Sequence, residues 1–202
     1  HMDVTQTMLN ACWRRASEPD GASGPAFRAE DIEIHRTRSQ PRCATSVILD
    51  MSGSMRYAGL YVAVKRMALA LDGLIRSEYP GDSLDFIEMY SLAKFRPIAE
   101  IPELLPKPVT IYDPVVQLRA DLSDPRLSEL DLPPHFTNMQ HALRLARQSL
   151  GVKNTPNRQI VLLTDGLPTA HFEGPELYLL YPPHARTEEH TMREARACAQ
   201  EG

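Results

Sequence analysis

The sequence is poor in the features that mark secreted, membrane-spanning and disulfide-rich proteins. It has three cysteines among 202 residues, Cys12, Cys43 and Cys198, in no metal-ligand spacing. Free thiols in a reducing compartment are therefore predicted rather than a disulfide framework. No stretch approaches the ~20 apolar residues of a membrane span, and no charged start followed by an apolar core resembles a signal peptide. We expect a cytoplasmic protein that does not bind membranes.

An excess of basic residues is also missing. The formal net charge is −4, which offers no basic face, so we expect no nucleic-acid partner. A local basic run at residues 35–42 is interpreted as the solvated side of a strand, because no aromatic residues interleave with it. The contents of 43% hydrophobic and 24% charged residues are those of an ordinary globular domain.

Two segments of different character divide the chain. Residues 1–29 combine an expression remnant, His1-Met2, with a short helical segment and a linker rich in Ser, Gly, Pro and Ala. Residues 30–202 are predicted to form one domain. A long connection without a long regular element is predicted at 97–134, where eight of the chain's 17 prolines fall.

Strands and helices alternate in the predicted domain. The predicted elements, in chain order, are a half-exposed strand at 31–35, a buried strand at 45–49, a helix at 59–77, a strand at 84–90, a helix at 138–150, a strand at 158–164 and a last helix that begins near an N-cap at Thr187. This alternation predicts an α/β fold with a Rossmann-like, doubly wound, mostly parallel sheet flanked by helices.

The most informative motif follows the first buried strand. Asp50, Ser52 and Ser54 form the pattern D-x-S-x-S, which puts one carboxylate and two hydroxyls on one loop. These hard oxygen donors suit a small divalent cation such as Mg²⁺, which is usually held by only one or two carboxylates. A lone D-x-S-x-S would be a weak signal, because serine and aspartate are common in loops.

Two further pieces occur in the expected order. Thr137 opens a helix after the long connection, and Asp165 follows an apolar strand that ends in T-D-G. Together with the first motif they resemble the metal-ion-dependent adhesion site of von Willebrand factor A (VWA) domains. The expected cation is Mg²⁺, with Mn²⁺ or Ca²⁺ as alternatives. Thr137 would be an exchangeable ligand carried by the long connection, and Asp165 would act through water.

The resemblance covers residues 30–202. The motifs F-T-N-M-Q-H-A-L, T-D-G-x-P-T-A-H and L-Y-x-x-Y-P-P resemble those of bacterial intracellular VWA proteins. The resemblance implies that the cation binds an Asp or Glu of a protein partner. It further implies an adaptor to an AAA+ ATPase of the MoxR type, or alternatively a VWA subunit of a metal-chelatase-like assembly. A pilus or surface adhesin would need a secretion signal, and none is visible.

No catalytic constellation is found in the sequence. A nucleophilic Ser52 or Ser54 would need a positioned base, and the chain has no G-x-S-x-G motif. His135 is the one nearby candidate for a base. We therefore expect a binding module rather than an enzyme.

Residues 168–183 form the most distinctive stretch outside the metal motifs. One interpretation is a hairpin or loop that packs its own aromatic residues. The other is an exposed recognition surface for the partner, formed by Tyr178, Leu179, Leu180 and Tyr181.

VWA domains normally continue with another strand, helix and strand beyond the point that corresponds to residue 202. Without those strands, residues 160–164 would form an apolar edge, which is prone to pair with other chains. We expect that the last strands of the domain are lacking because the chain is a fragment, or that another segment or subunit covers the edge. Self-association through this edge is the further expectation.

Overall fold

The computed structural model describes residues 3–17, 27–33 and 42–201. The chain divides into two compact units, His1–Gln40 and Pro41–Gly202, and each is described by itself. The expression remnant and most of the predicted linker and basic run lie outside the described residues. The three cysteines are free, as the sequence predicts.

The first unit contains the helix α1 (Val4–Ser17) and a short 3-10 helix at Ala29–Asp31. The guanidinium of Arg14 donates to both carboxylate oxygens of Asp31, at 2.9 and 2.8 Å. The prediction of a strand at 31–35 is wrong for its described residues. Asp31 closes a helical turn by accepting from the Arg28 N–H, and residues 34 and 35 lie outside the described part.

The second unit holds seven strands and three α-helices among its described residues, besides three 3-10 helices. The strands are β1 (Cys43–Asp50), β2 (Ser83–Met89), β3 (Ala93–Arg96), β4 (Val116–Asp121), β5 (Asn157–Leu163), β6 (Ala170–Glu173) and β7 (Glu176–Tyr181); the helices are α2 (Leu60–Glu78), α3 (Met139–Gly151) and α4 (Ala185–Glu201). Each predicted strand of the central sheet and each predicted helix beside it is present, and its ends lie within two residues of the predicted ends.

The central sheet has the order β3-β2-β1-β5. β1 pairs in parallel with β2 and with β5, so that Val47 lies opposite Phe86 on one side and Val161 on the other. β3 is antiparallel to β2 and forms an edge. The mostly parallel α/β fold predicted from the sequence is confirmed, with the first strand in the middle of the sheet.

Side-chain alternation along β1 explains why helices cover both faces of this sheet. Val47 and Leu49 pack on one face with Val64 of α2, whereas Ile48 packs on the other with Ala142 of α3. All three β1 side chains are fully buried. A strand buried on both faces reads as a continuous apolar run, and this run identified β1 in the sequence.

A second, three-stranded antiparallel sheet has the order β4-β7-β6. It was not predicted, because β4 lies inside the proline-rich connection. Pro114 and Pro125 fall outside β4 at its two ends, so no proline interrupts the pairing of β4 with β7. Gln140 of α3 joins this sheet to the rest of the domain, because its side chain bonds both backbone groups of Phe172 on β6.

The start of α4 was predicted two residues too late. The helix begins at Ala185, and Thr187 is a buried helical residue rather than an N-cap. The ring of His184 accepts from the Arg186 N–H at 3.1 Å and takes the capping role. None of the helices in the described ranges is long and apolar enough to cross a membrane.

Among the described residues, β5 is the outer strand of the central sheet. An apolar groove of about 350 Å³ runs beside it, between β5, α3 and α4. Leu150, Ile160 and Cys198 are among the residues that line this groove. Covering of this edge by another segment or by a second copy stays a prediction.

Candidate metal centre

The D-x-S-x-S loop and the T-D-G loop meet at the carboxyl edge of the central sheet. β1 ends at Asp50 and its parallel neighbour β5 ends at Leu163, so both strands deliver their following residues to the same edge. The Ser54 hydroxyl donates to Asp165 Oδ1 at 3.0 Å, and the Thr164 hydroxyl donates to Asp50 Oδ2 at 2.6 Å. The pairing of β1 with β5 thus brings the two predicted carboxylates together.

Asp50 is completely buried. Its Oδ1 accepts from the Ser52 N–H at 2.8 Å, while its Oδ2 accepts from Thr164. Burial raises the pKa of the Asp50 carboxyl, and the nearby Asp165 carboxylate raises this pKa further. No salt bridge from a described Lys or Arg reaches Asp50. A buried carboxylate with only neutral donors is electrostatically suited to a bound cation.

The two motif serines lie beside each other above Asp50. Ser52 is buried, and its Oγ is 3.1 Å from the Oγ of Ser54. Gly53 between them permits a close approach of the loop that carries His135. The Gly53 N–H donates to the His135 carbonyl at 3.0 Å, and a Cβ at Gly53 would lie 2.8 Å from Val109 Cγ2. Glycine is therefore the residue that fits here.

Thr137 is buried and held by backbone hydrogen bonds to the start of β6. Its N–H donates to Thr169 Oγ1 at 2.9 Å, and its carbonyl accepts from the N–H groups of Thr169 and Ala170, both at 3.0 Å. Asn138, the next residue, caps α3 by accepting from the His141 N–H. These bonds tie the Thr137 backbone to neighbouring elements, and its role as an exchangeable ligand stays a prediction.

A cleft of about 430 Å³ lies beside these loops. Ser54, Thr137 and Gly166 line it, one from each of the three predicted pieces. Its remaining wall carries aromatic and apolar side chains, among them those of Tyr57, Val109, Ile111, Tyr112, Leu167 and Tyr181. Of the five predicted ligands, Ser54 and Thr137 line this cleft. Asp50 and Ser52 are buried, and Asp165 accepts a hydrogen bond from Ser54.

The proposed recognition surface on β7 is only partly exposed. Leu179 is 1% exposed and packs in the core of the second sheet, so its prediction as a partner-binding residue is wrong. Tyr178 and Leu180 are half-buried, and Tyr178 stacks on His171 with ring centroids 5.2 Å apart. Tyr181 is 49% exposed and lines the cleft. The interpretation of residues 168–183 as a hairpin that packs its own aromatic residues is confirmed.

Three contributors to the site were missed in the sequence. Thr164 orients the Asp50 carboxylate by donating to it. The threonine of the T-D-G motif was a signal for this role, because a hydroxyl at the end of the neighbouring strand can reach Asp50. Tyr112 and Leu167 line the cleft in strongly exposed positions, 86% and 66%. They lie in irregular segments, where no hydrophobic period indicates which residues face a site.

His135 lies near the two serines but bonds elsewhere. Its Nδ1 accepts from the Thr110 N–H at 3.3 Å, and burial lowers the pKa of its ring. The hydroxyls of Ser52 and Ser54 bond to each other, and Ser54 donates to Asp165.

Comparisons with known proteins agree with this architecture. The uncharacterized proteins Rv0959 of Mycobacterium tuberculosis and Mb0984 of Mycobacterium bovis are each 29% identical to this chain over 195 residues, which cover 94% of it and 25% of the relative. The chain thus spans about a quarter of the length of the curated relatives it matches.

Two solved structures match parts of the chain. A mutant of the PilB minor pilin from Streptococcus sanguinis matches with a TM-score of 0.54 and 18% identity, covering 82% of this chain and 48% of the pilin chain. The vWF domain of the type V pili tip protein Mfa5 from Porphyromonas gingivalis matches with a TM-score of 0.39 and 20% identity, covering 65% and 40%. A family model described as "Rv0959-like protein, vWA domain" matches residues 43–202, and the chain belongs to this family of VWA-domain proteins.

Proposed function

We propose that this VWA domain binds a divalent cation at Asp50, Ser52, Ser54, Thr137 and Asp165 and uses it to bind a carboxylate of a protein partner. The observation that carries the proposal is the buried Asp50 carboxylate, which has neutral hydrogen-bond donors but no salt bridge among the described residues. Every candidate ligand offers a hard oxygen, the donor type that Mg²⁺ prefers; Mn²⁺ and Ca²⁺ accept the same donors.

Each residue has a distinct part in this proposal. Asp50 supplies the main negative charge and is kept in orientation by the Thr164 hydroxyl and the Ser52 N–H. Ser52, Ser54 and Thr137 supply neutral oxygens, and Asp165 contributes its charge through water or through Ser54, to which it is bonded. With Asp50 as the one directly bound carboxylate and Asp165 acting through water or Ser54, a bound divalent cation would keep positive charge that attracts an anionic oxygen from outside the domain.

The cleft indicates which kind of partner segment fits. Its wall exposes Tyr112, Leu167 and Tyr181 beside Ser54 and Thr137. Aromatic side chains around a polar centre are typical of recognition surfaces. We propose that the partner presents an Asp or Glu flanked by apolar residues, so that the carboxylate points at the cation and its neighbours cover the aromatic wall.

The partner that we propose is an AAA+ ATPase of the MoxR type, with this domain as its adaptor in the cytoplasm. The support for this choice is the resemblance of the sequence motifs to bacterial intracellular VWA proteins. The domain would then act without chemistry of its own, by binding the ATPase through the cation.

A pull-down from a native lysate tests this proposal, with wild type in Mg²⁺, wild type in EDTA, and Asp50→Ala in Mg²⁺. Asp72→Ala, which removes a carboxylate that pairs with Arg76 on α2, is the matched control. We expect a partner to be recovered only by the wild type and the control in Mg²⁺. Its identity distinguishes an adaptor of an AAA+ ATPase from a subunit of a metal-chelatase-like assembly. Equal recovery in all lanes would contradict the proposal.

A further inference from the structure

A second cluster of metal-ligand side chains lies on β6 and α4. His171 and Glu173 are two residues apart on β6 and therefore share a face of that strand, and His190 reaches them from α4. The Nε2 atoms of His171 and His190 lie 3.2 and 3.1 Å from Glu173 Oε1. All three ligand atoms lie within 4.8 Å of one another.

We propose that His171, Glu173 and His190 form a binding site for a transition metal ion of the Zn²⁺ type. Zn²⁺ binds histidine nitrogen and carboxylate oxygen at about 2.0–2.2 Å. In a tetrahedral arrangement such bonds separate the ligand atoms by about 3.3–3.5 Å, close to the two nitrogen–oxygen distances observed. Two imidazoles and one carboxylate suit Zn²⁺ far better than Mg²⁺, which prefers oxygen alone. The fourth position is left for water or a ligand from outside.

The surroundings of His171 prepare it as a ligand. Its ring is fully buried, and its other nitrogen, Nδ1, lies 2.9 Å from Thr187 Oγ1. Such an outer hydrogen bond is what fixes the ring orientation of metal-binding histidines. Burial lowers the pKa of His171, which favours the neutral imidazole that a metal requires. The ring is also stacked on Tyr178, so its position is set before any ion binds. The His190 ring lies nearly parallel to the His171 ring, with centroids 4.7 Å apart, so His190 must turn to direct its Nε2 at the same ion.

Arg186 is the competitor of the metal. Its Nε lies 2.6 Å from Glu173 Oε1, and its Nη2 donates to Glu173 Oε2 at 2.7 Å. Arg186 is about half exposed and lies over the Tyr178 ring, 4.7 Å from its centroid. A metal ion at Oε1 requires the Arg186 Nε to leave this atom, whereas the bond to Oε2 can be kept. The affinity of the site is therefore set by competition between a metal ion and Arg186 for one carboxylate oxygen.

Titration of the whole chain with Zn²⁺ by calorimetry, after removal of any histidine tag, tests the proposal. We expect one Zn²⁺ per chain, and a loss of affinity of at least about tenfold in His190→Ala and in Glu173→Gln. Glu189→Gln, which changes an exposed carboxylate next to His190, is the matched control and should bind as the wild type does. Co²⁺ in place of Zn²⁺ should give a visible absorption band in the wild type that His190→Ala lacks.

The variant Arg186→Ala distinguishes two interpretations of this cluster, a metal-binding site and a network of hydrogen bonds without a metal. Removal of the competing guanidinium should tighten Zn²⁺ binding if the site exists. If His190→Ala fails to fold, which circular dichroism would detect, the Zn²⁺ affinity of Arg186→Ala still tests whether the site exists. Absence of Zn²⁺ binding by the wild type would overturn the proposal. Unchanged binding in both ligand variants, or unchanged affinity in Arg186→Ala, would also overturn it. Zn²⁺ binding in Asp50→Asn should equal that of the wild type. This result would separate the cluster from the candidate metal centre of Asp50, Ser52, Ser54, Thr137 and Asp165, the Asp50 centre.

Discussion

The Asp50 centre and the His171–Glu173–His190 cluster differ in how their carboxylates are compensated. Asp50 is buried with neutral donors and carries a pKa raised by burial. Glu173 bonds to a guanidinium, which lowers the pKa of its carboxyl. The metal-free domain is thus destabilised by an uncompensated charge at the first centre but not at the second. Cation binding should relieve an unfavourable charge at Asp50, whereas at Glu173 it must displace an existing partner.

The two centres also differ in the elements that carry them. Asp50 and Asp165 lie on loops after parallel strands, where groups distant in sequence converge. His171 and Glu173 lie within one strand, and His190 lies on a helix packed against it. The first centre lies beside a cleft that a partner can enter, whereas the side chains of the second are already joined to each other and to Arg186. We infer that the first suits recognition of a partner and the second suits a fixed ion.

Substitution of Asp50 by Asn should give the largest contrast between the centres. We expect Mg²⁺ to raise the melting temperature of the wild type but not of Asp50→Asn, and Zn²⁺ to raise it in both. In EDTA at neutral pH, Asp50→Asn should melt a few degrees higher than the wild type, because the buried charge is gone. Differential scanning fluorimetry with each ion measures both effects. A Mg²⁺ response that survives in Asp50→Asn would place the Mg²⁺ elsewhere.

His141, a half-buried histidine outside both centres, should make the stability of the domain depend on pH. Burial, with a smaller contribution from Arg144, lowers the pKa of His141 from 6.5 to about 4, and its Nδ1 accepts from the Ala93 N–H. Between these two values the unfolded chain binds a proton that the folded chain does not, so stability is lost as the pH falls. The loss should reach about 3 kcal/mol by about pH 4. Urea unfolding of wild type and His141→Gln at about pH 7 and about pH 4 isolates it, since other titrating groups cancel; equal losses in both proteins would contradict the assignment.

Removal of the Thr164 hydroxyl should weaken the first centre without affecting the second. Thr164→Val keeps the shape of the side chain but leaves Asp50 Oδ2 without its donor. We expect Mg²⁺ affinity to fall about 10- to 100-fold, as for other outer hydrogen bonds of metal ligands. Mg²⁺ titration measures this change, and Zn²⁺ affinity in the same variant serves as the control. An unchanged Mg²⁺ affinity would mean that Thr164 does not orient Asp50 for the ion.

The smallest predicted effect concerns the wall of the cleft. Tyr112→Ala removes an 86% exposed side chain and should leave Mg²⁺ affinity unchanged. Binding of the captured partner should weaken by about 1 kcal/mol or more, as for aromatic contacts at an interface. Calorimetry with the purified partner measures the loss, and Tyr79→Ala, outside the cleft, is the matched control. Equal partner affinity of Tyr112→Ala and wild type would exclude this wall from the interface.

The central sheet and the Asp50 centre could be predicted because their signals are local. A strand buried on both faces is a continuous apolar run, as residues 45–49 are, and an amphipathic helix repeats every three to four residues. The D-x-S-x-S and T-D-G motifs each lie within a few residues of a strand end. The order of the motifs then placed Asp50, Thr137 and Asp165 at one edge of the sheet.

The second sheet could not be predicted, because its pairing joins distant segments. β4 and β7 are separated by more than fifty residues, and the prolines around β4 disguise a short strand. For the same reason the fully buried Leu179 was expected at the surface. Leu177 and Leu179 lie on one face of β7, and Tyr178 and Leu180 lie on the other. The sequence alternation shows that one face of this strand is buried, but only the pairing with other strands decides which face it is.

The sequence by itself determined the fold class, the central strand and the oxygen-bearing side chains at its end, since these depend on hydrophobic period and residue type over short spans. The tertiary structure alone decided which charges find partners. It left Asp50 without a salt bridge from any described residue, joined Glu173 to Arg186, and brought His171 and His190 to one carboxylate oxygen. Charge compensation depends on distances of a few ångströms between side chains from different elements, and such distances are set by packing.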